Sequence, residues 1–452
     1  MSDGKSLALS RIESILDDAS FVEMQALVTA RSTDFGEAEE APSDGVVIGH
    51  GQIDGDLVFI YAQDPAVKNG SIGEMHAKKI LSVYDMARKV GAPVIGLLDS
   101  TGIRLTESVD ALEAIAAIVK KASDCKGEIP EITAVYGSCG GGLSVLTAIS
   151  DFTFMTKDSR LFINTPDTIP GNSKEACDTA SAAFQAESTG AVDDFGTEAE
   201  VAETIRDLIG ILPSSDREGG RIEEEYTDDL NRAAEGLSDK LTDIAAYAAE
   251  IADGRVFVET KKHFAKTMVT GFIRLGGQTV GVVGNSACEK GHFFLTADGV
   301  YKAADFVNYC DSMSIPVLSL INAEGYQRKV EAEKNLPGAL AALAYAFAEA
   351  DTPKVSVYLK KAVGTSFLFM DAKSLGSDLV FAYSDTEIAP MAPADAAKLL
   401  SADGFDAAAF EAKDCGAANA ARRGYIDRIL TYPDTRKYLI SAFDMLATKE
   451  AF

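Results

Sequence analysis

The chain of 452 residues has few of the side chains that bind metals or form disulfides. It contains four histidines and six cysteines, and no two of the cysteines stand in CxxC or another metal-ligand spacing. Cysteines scattered in this way favour reduced thiols over disulfides or structural zinc. We therefore expect no metal centre in this protein.

Positive charge is scarce as well, because 42 Lys and Arg residues stand against 69 Asp and Glu residues. The net charge of −27 argues against nucleic acid and anionic membranes as partners, and an anionic ligand would need a local basic pocket. No apolar run approaches the ~20 residues of a membrane-spanning helix. The N-terminal residues lead to no signal-like apolar segment. We expect a soluble cytoplasmic protein.

Nucleotide-binding motifs are also missing. Neither GxGxxG nor GxxxxGK[ST] stands between a predicted strand and a predicted helix, which excludes dinucleotide and P-loop sites. Apolar strand patterns instead alternate with amphipathic helical patterns, and this alternation indicates a layered α/β fold. The segment 167–254 is rich in Ala, Asp, Glu and Ser, and we assign its charges to a solvated surface.

Glycine is concentrated in one loop, where Gly140, Gly141 and Gly142 follow the apolar strand pattern 132–136 and precede the helical pattern 143–149. Glycine has no Cβ to cover the backbone amides, and the positive end of the helix dipole lies behind them. Such a loop can bind a phosphate or an oxyanion that develops during a reaction. A tight turn with close strand–helix packing explains the glycines equally well.

The chain repeats this arrangement. The segment 93–99 has an echo at 316–322, and the segment 130–135 has an echo at 353–358, both 223 residues further along (93 to 316 and 130 to 353). The same offset carries Gly141 and Gly142 onto Gly364 and Thr365. An internal repeat decides the architecture. We predict two domains, residues 1–225 and 226–452, each with a βα core and one amide-lined loop.

Further blocks in a fixed order carry a resemblance to a known family. These blocks are Gly45–Gly55, Gly70–Ile80, Asp99–Arg104, Gly271–Gly277, Gly281–Asn285, Lys361–Gly364 and Arg423–Asp427. The chain resembles the carboxyltransferase subunits of biotin-dependent acyl-CoA carboxylases and decarboxylases, such as the propionyl-CoA carboxylase beta chain. The resemblance implies an α/β fold of two tandem crotonase-like (ClpP/crotonase) β-β-α spiral domains.

The resemblance also implies the chemistry. CO2 would pass between carboxybiotin, held on a separate carrier protein, and the α-carbon of a short-chain acyl-CoA of the acetyl or propionyl type. The amides of Gly141 and Gly142 would stabilise the thioester enolate in the N-terminal, acyl-CoA domain. The loop Gly364, Thr365 and Ser366 would bind the ureido oxygen of biotin in the C-terminal domain.

Further residues match the family's substrate-binding positions, namely Gly73, Lys78, Lys79, Gly102, Arg104, Gly140 and Leu368. The side chains of Lys78, Lys79 and Arg104 are candidates for the phosphates of CoA, and a solvated helix surface is the alternative for each. Leu368 stands where relatives size the acyl pocket. The family's usual Gly-Gly-Ala in the second loop is here Gly364-Thr365-Ser366, and its usual Pro-Gly-Phe is replaced within 323–327.

The resemblance implies partners, because no Ala-Met-Lys-Met-like biotinylation site occurs in the chain. We expect a biotin carboxyl carrier protein, together with a biotin carboxylase or a membrane decarboxylase subunit, and a homo-oligomer of dimers assembling to a hexamer. One alternative is the alpha subunit of a decarboxylase acting on malonyl-, methylmalonyl- or glutaconyl-CoA. Others are a hydratase or isomerase that uses Glu107 and Glu324, and a catalytically silent scaffold.

Overall fold

The computed structural model describes residues 6–35, 41, 43–175, 177–218, 228–288, 290–400 and 406–449. The chain divides into two compact units, Met1–Gly219 and Gly220–Phe452. The boundary predicted between residues 225 and 226 lies outside the described residues. Within the described part of the chain, no helix is long and apolar enough to cross a membrane.

Unit 1 is built on a seven-stranded mixed sheet with helices packed on it. Its strands are β1 (Val22–Met24), β2 (Val46–Ile53), β3 (Asp56–Gln63), β4 (Val94–Leu98), β5 (Glu131–Val135), β6 (Ser138–Gly140), β7 (Phe152–Thr156), β8 (Arg160–Phe162) and β9 (Asp194–Gly196). Its helices are α1 (Leu7–Ile15), α2 (Glu74–Val90), α3 (Val109–Cys125), α4 (Ser144–Ile149), α5 (Ala182–Phe184) and α6 (Glu198–Ile211).

The strand order is β1-β2-β3-β4-β5-β7-β9, antiparallel from β1 to β3 and parallel from β3 onward. Asp54 and Gly55 close the β2–β3 hairpin with positive φ values of 50° and 89°, as a tight hairpin turn requires. Every residue of β4, β5 and β7 is buried, because a parallel sheet is covered on both faces. Because these three strands are parallel, their carboxyl ends lie at the same edge of the sheet.

Unit 2 has a second mixed sheet of eight strands. The strands of the unit are β10 (Val258–Thr260), β11 (Met268–Leu275), β12 (Gln278–Asn285), β13 (Phe294–Leu295), β14 (Val317–Ala323), β15 (Gly325–Tyr326), β16 (Lys354–Val363), β17 (Leu379–Tyr383), β18 (Glu387–Ala389) and β19 (Arg428–Leu430). Its helices are α7 (Ile244–Ile251), α8 (Ala297–Ser312), α9 (Val330–Glu349), α10 (Pro393–Leu400), α11 (Ala407–Asp414), α12 (Ala417–Arg422) and α13 (Thr435–Leu446).

The second sheet repeats the first, with the order β10-β11-β12-β14-β16-β17-β19 and β18 paired to the end of β16. The offset of 223 residues holds in space, because β4 corresponds to β14 and β5 corresponds to β16. Even a single parallel bridge between Ile72 and Ile103 has its counterpart between Leu295 and Tyr326. The predicted duplication of a βα core is therefore present.

A buried ionisable side chain opens the strand before each loop, and it is acidic in unit 1 and basic in unit 2. Glu131 begins β5 and is 1% exposed, and burial raises the pKa of its carboxyl to about 9. Lys354 begins β16 at the equivalent position, and burial lowers the pKa of its amine. The Lys354 amine donates to the backbone oxygens of Phe347 and Ala350 at 2.7 and 2.5 Å.

We expect the change Glu131→Gln to reduce the pH dependence of unfolding. A carboxyl that titrates at about 9 when folded and at 4.5 when unfolded stabilises the fold fully below pH 4.5. That stabilisation is lost as the pH rises toward 9, at up to about 1.4 kcal/mol per pH unit. Urea unfolding midpoints at several pH values between 5 and 9 should fall less steeply in the variant. Exposed Glu203→Gln serves as the control, and equal slopes in all three proteins would contradict the expectation.

Candidate functional site

The glycine loop of unit 1 lies at the carboxyl end of the parallel strands. Gly140 ends the short strand β6, which pairs with β8, and Gly141 begins a 3₁₀ turn that leads into α4. The φ of Gly141 is +63°, a left-handed conformation that favours glycine. The first N–H groups of a helical segment have no partner within it. Gly141 and Gly142 are the first residues of such a segment, as the sequence predicts, so their N–H groups have no partner within it.

These amides border a cleft of about 580 Å³ in unit 1. A Cβ placed on Gly141 would have no protein atom within 4 Å, and a Cβ on Gly142 would meet only Ile115 at 3.8 Å. The glycines therefore face open space that a ligand can fill. The cleft is lined by Ser100, Thr101, Gly102, Ile103, Leu112, Ile115, Ala116, Val119, Ser138, Gly140, Gly141, Gly142, Val145, Phe162, Ile163 and Thr165.

The structure brings four predicted residues together at this cleft, and they play different parts. Gly102 has a φ of +95° and donates its N–H to Ser100 Oγ at 3.0 Å. Gly140 serves packing, because a Cβ there would lie 2.4 Å from the ring of Phe162. Gly141 and Gly142 are the members with open space in front of them. Of the two alternatives left by the sequence, the packing turn thus describes Gly140, and ligand binding at Gly141 and Gly142 stays a prediction.

Asp99 fixes the chain that enters this loop, a role that sequence reasoning missed. Its carboxylate accepts the N–H of Ser138 at 3.3 Å and pairs with Arg11 at 2.8 Å. A Cβ on Gly137 would lie 2.0 Å from Asp99 Oδ1, so only glycine permits this approach. The available signal was the repeat, because Asp99 has its counterpart in Asn322 of the other unit.

Arg104 does not face the cleft with its charge. Its side chain is 5% exposed and donates to Asp44 Oδ1 at 2.5 Å, to Glu107 Oε1 at 2.8 Å and to the backbone oxygen of Ser71 at 2.7 Å. These contacts occupy the guanidinium inside unit 1. The geometry therefore departs from the expectation that Arg104 meets the phosphates of CoA, and it makes Arg104 a residue that joins three segments beside the cleft.

Gly73 and Glu107 belong to the same buried cluster. The Glu107 carboxylate accepts the N–H of Glu74 at 2.7 Å and so caps the first turn of α2. A Cβ on Gly73 would lie 2.2 Å from Glu107 Oε1, which explains the glycine at this position. Gly73 thus makes room for a carboxylate of the protein itself. Glu107 is 2% exposed and is held by its contact with Arg104 inside unit 1.

Of the two lysines of α2, Lys79 is buried and Lys78 is exposed. Lys79 is fully buried, and its amine donates to the backbone oxygens of Ser43 and Val46 at 3.1 and 2.5 Å. Burial lowers the pKa of Lys79 to about 8. The side chain of Lys78 is 58% exposed and pairs with Glu74 at 2.7 Å. Lys78, unlike Lys79, is accessible to a ligand in solution.

The second loop follows β16 in unit 2. Gly364 has a φ of +73° and donates its N–H to the backbone oxygen of Ala389 at 2.9 Å. A Cβ on Gly364 would find its nearest atom at 3.9 Å, so the loop is as open as the first. Thr365 precedes the 3₁₀ segment Ser366–Met370, whose first amides have no partner within the segment.

Asn322 holds this loop as Asp99 holds the first. Its Oδ1 accepts the N–H groups of Lys360 and Lys361 at 2.9 and 3.1 Å, and its amide donates to the backbone oxygen of Leu241 at 2.5 Å. Leu368 lies on the following 3₁₀ segment and is 41% exposed. An apolar side chain is thus presented beyond the second loop.

Glu324 lies in a charged cluster near the base of the second loop. It accepts hydrogen bonds from His292 Nδ1 at 2.8 Å and from the N–H of Phe293 at 3.1 Å, and it pairs with Lys361 at 3.1 Å. Burial alone would raise its pKa, but these hydrogen bonds outweigh burial and leave the pKa of Glu324 below its usual value. A carboxylate held in this state is a poor proton acceptor at neutral pH.

No metal-binding arrangement accompanies either loop. Across the described ranges, no group of three or more His, Cys, Asp or Glu side chains could hold a metal ion.

Comparison with known proteins identifies the family. The carboxyl transferase domain family matches residues 1–452. The carboxyltransferase subunit of propionyl-CoA carboxylase from Haloferax mediterranei is 36% identical over 99% of this chain and 91% of its own length. The alpha subunit of methylmalonyl-CoA decarboxylase from Veillonella parvula is 35% identical over 99% of this chain and 91% of its own length.

A solved structure agrees with the fold. The crystal structure of transcarboxylase 12S with hydrolysed methylmalonyl-coenzyme A superposes with a TM-score of 0.93 at 31% identity, covering 98% of this chain and 90% of that chain. This match confirms the predicted α/β fold of two tandem crotonase-like halves. The chain belongs to the carboxyl transferase domain family and is a carboxyltransferase of the biotin-dependent acyl-CoA carboxylase and decarboxylase type.

Proposed function

We propose that this chain moves a carboxyl group between biotin on a separate carrier protein and the α-carbon of a short-chain acyl-CoA. The observation that carries the proposal is the pair of open, amide-lined loops at equivalent positions of the two units. The named relatives support the propionyl-CoA and methylmalonyl-CoA pair as substrate and product, because their names specify these thioesters. The direction of the reaction depends on the partner complex.

In unit 1, the amides of Gly141 and Gly142 would donate to the thioester oxygen as the α-carbon becomes an enolate. Donors fixed in advance stabilise charge that develops in the transition state. The cleft has apolar walls, including Leu112 and Ile115, that suit a short acyl chain. We retain exposed Lys78 as the candidate for the phosphates of CoA, whereas Lys79 and Arg104 hold the backbone around the cleft.

In unit 2, the amides of Thr365 and Ser366 would donate to the ureido oxygen of biotin. The positive φ of Gly364 and the open space before it fit a small planar group. When bound, biotin supplies a carrier that releases and accepts the carboxyl group. Leu368 would bound the space beside this loop.

The assembly follows from the same proposal. We propose a biotin carrier protein with a biotin carboxylase or a membrane decarboxylase subunit as partners, and a homo-oligomer of dimers forming a hexamer. Transcarboxylase 12S supports the last point, since its structure is described as a hexamer assembly. A hexamer would have six times the chain mass of 47.8 kDa in light scattering. The cytoplasmic location expected from the sequence stays a prediction.

The direct test is loss of CO2 from methylmalonyl-CoA with and without free biotin. We expect turnover that requires biotin, because biotin at the second loop is the proposed acceptor of the carboxyl group. Malonyl-CoA serves as the comparison thioester and reports on the size of the acyl pocket. An equal rate of turnover with and without biotin would contradict carboxyltransfer. CoA binding without turnover, even with the cognate carrier, would favour the silent scaffold.

We expect the change Gly142→Val to lower kcat/KM for the acyl-CoA at least about tenfold. The variant keeps the amide N–H, but its side chain would occupy the open space before the loop and keep the thioester oxygen from donors that are each worth about 10²–10³ in rate. The backbone at Gly142 suits any residue, and the new side chain would enter the cleft rather than the core. The melting temperature should therefore stay unchanged. Gly210→Val, at a glycine with no neighbour within 4 Å of its Cβ position, is the control. Unchanged kinetics in Gly142→Val would remove the first loop from the mechanism.

Glu107 distinguishes the hydratase alternative. A hydratase that used this carboxylate would lose turnover in Glu107→Gln without losing stability. We expect the opposite, namely a loss of about 3 kcal/mol in stability, because the buried Arg104 keeps its charge while one partner is neutralised. Activity of the remaining folded protein should persist. Calorimetry and turnover per folded molecule, measured below the lowered melting temperature, decide between the two.

A further inference from the structure

The two loops differ in the side chains that border them. The offset of 223 residues pairs Ile103 with Tyr326 and Gly142 with Thr365. In unit 2, the Tyr326 hydroxyl lies 2.9 Å from Thr365 Oγ1, within hydrogen-bond distance. At the same place, unit 1 has an apolar side chain and a glycine. The second loop therefore carries a pair of hydroxyl groups where the first loop has none.

The backbone holds this pair in place. Tyr326 lies in β15, which pairs with β13, and the next residue, Gln327, donates its N–H to the backbone oxygen of Leu295 at 2.9 Å. Thr365 directly follows Gly364, whose own N–H is bonded to Ala389. The backbone next to each of the two residues is thus held by a hydrogen bond.

Proton counting gives the pair a spare donor. Two hydroxyl groups carry two protons, and the bond between them uses one. The other O–H remains able to donate, and it lies at an exposed position, since Thr365 is exposed and Tyr326 is partly so. Partial burial also raises the pKa of Tyr326, so the phenol keeps its proton at neutral pH.

We infer that Tyr326 and Thr365 form a hydroxyl pair that binds the ligand of the second loop together with the backbone amides. The inference rests on the proposed function, in which that ligand is the ureido group of biotin. The spare O–H gives the acceptor oxygen a donor from side chains in addition to the amides of Thr365 and Ser366. The pair makes affinity at the second loop depend on side chains, unlike affinity at the first.

A bulk effect of Thr365 predicts the reverse outcome. If the threonine only narrowed the loop, its removal in Thr365→Gly would improve access and strengthen binding. If the hydroxyl donates, the same change weakens binding. The sign of the effect therefore separates the two roles.

The experiment measures the dissociation constant of free biotin by saturation-transfer NMR, and the KM values for biotin and methylmalonyl-CoA in decarboxylation. The variants are Tyr326→Phe, Thr365→Val, Thr365→Gly and Thr365→Ser. We expect the first three to bind biotin about fivefold more weakly, the usual worth of one neutral hydrogen bond. The Thr365→Ser variant keeps the hydroxyl and should bind nearly as the wild type does. The KM for methylmalonyl-CoA should stay unchanged in all four.

A double variant tests whether the hydroxyls act as a unit. Tyr326→Phe combined with Thr365→Val should lose little more than either change alone, because each change removes either the donating hydroxyl or the hydroxyl that orients it. Tyr425→Phe, at a tyrosine that is 54% exposed, is the matched control and should bind biotin as the wild type does.

The outcomes separate the two claims. Biotin-dependent turnover by the wild type with unchanged biotin affinity in Tyr326→Phe and Thr365→Val overturns the hydroxyl pair alone. Stronger binding by Thr365→Gly does the same and assigns the side chain to bulk. Absence of both biotin binding and biotin-dependent turnover in the wild type overturns the proposed function, and the role of the pair with it.

Discussion

In each unit, hydrogen bonds to one polar side chain hold the backbone that leads into the amide-lined loop. At the carboxyl end of the first strand in each repeated pair, an acceptor side chain takes backbone N–H groups of the chain that leads into the loop. Asp99 accepts from Ser138, and Asn322 accepts from Lys360 and Lys361. Because these acceptors are hydrogen-bonded on the protein side, the loop backbone is fixed before a ligand arrives. Preorganised amides are what stabilisation of a developing oxyanion requires.

Around this shared framework, the two units differ in the side chains that cap the corresponding helices α2 and α8. Unit 1 places a guanidinium and a carboxylate inside, so that Arg104 ties Asp44 to Glu107, and Glu107 caps α2 across the space left by Gly73. Unit 2 caps the corresponding helix with the hydroxyl of its own Thr296. An internal ion pair costs desolvation but specifies one arrangement when its hydrogen bonds are complete. The unit proposed to bind the acyl-CoA thus has a buried ion-pair cluster at Arg104, and the unit proposed to bind biotin has hydroxyls at its loop.

The sequence was sufficient for the loops and the repeat, because glycine runs and a constant offset are local and countable. Gly141 and Gly364 both have the left-handed backbone conformation that glycine favours. Arg104 was harder, since a basic residue after a strand has the same appearance whether its partner is a ligand or a buried carboxylate. Its partner Asp44 lies 60 residues earlier in the chain, in a turn with a φ of +50°, and no spacing rule connects them. The bond between Tyr326 and Thr365 was hidden for the same reason.

The central claim is that the two loops serve different ligands, with the first binding the thioester oxygen. A crystal structure of the protein with a non-hydrolysable analogue of methylmalonyl-CoA tests it most directly. The account predicts the thioester oxygen about 2.7–3.1 Å from the amide nitrogens of Gly141 and Gly142, within the cleft of unit 1. A thioester seated at the Gly364 loop, or bound away from both loops, would contradict it.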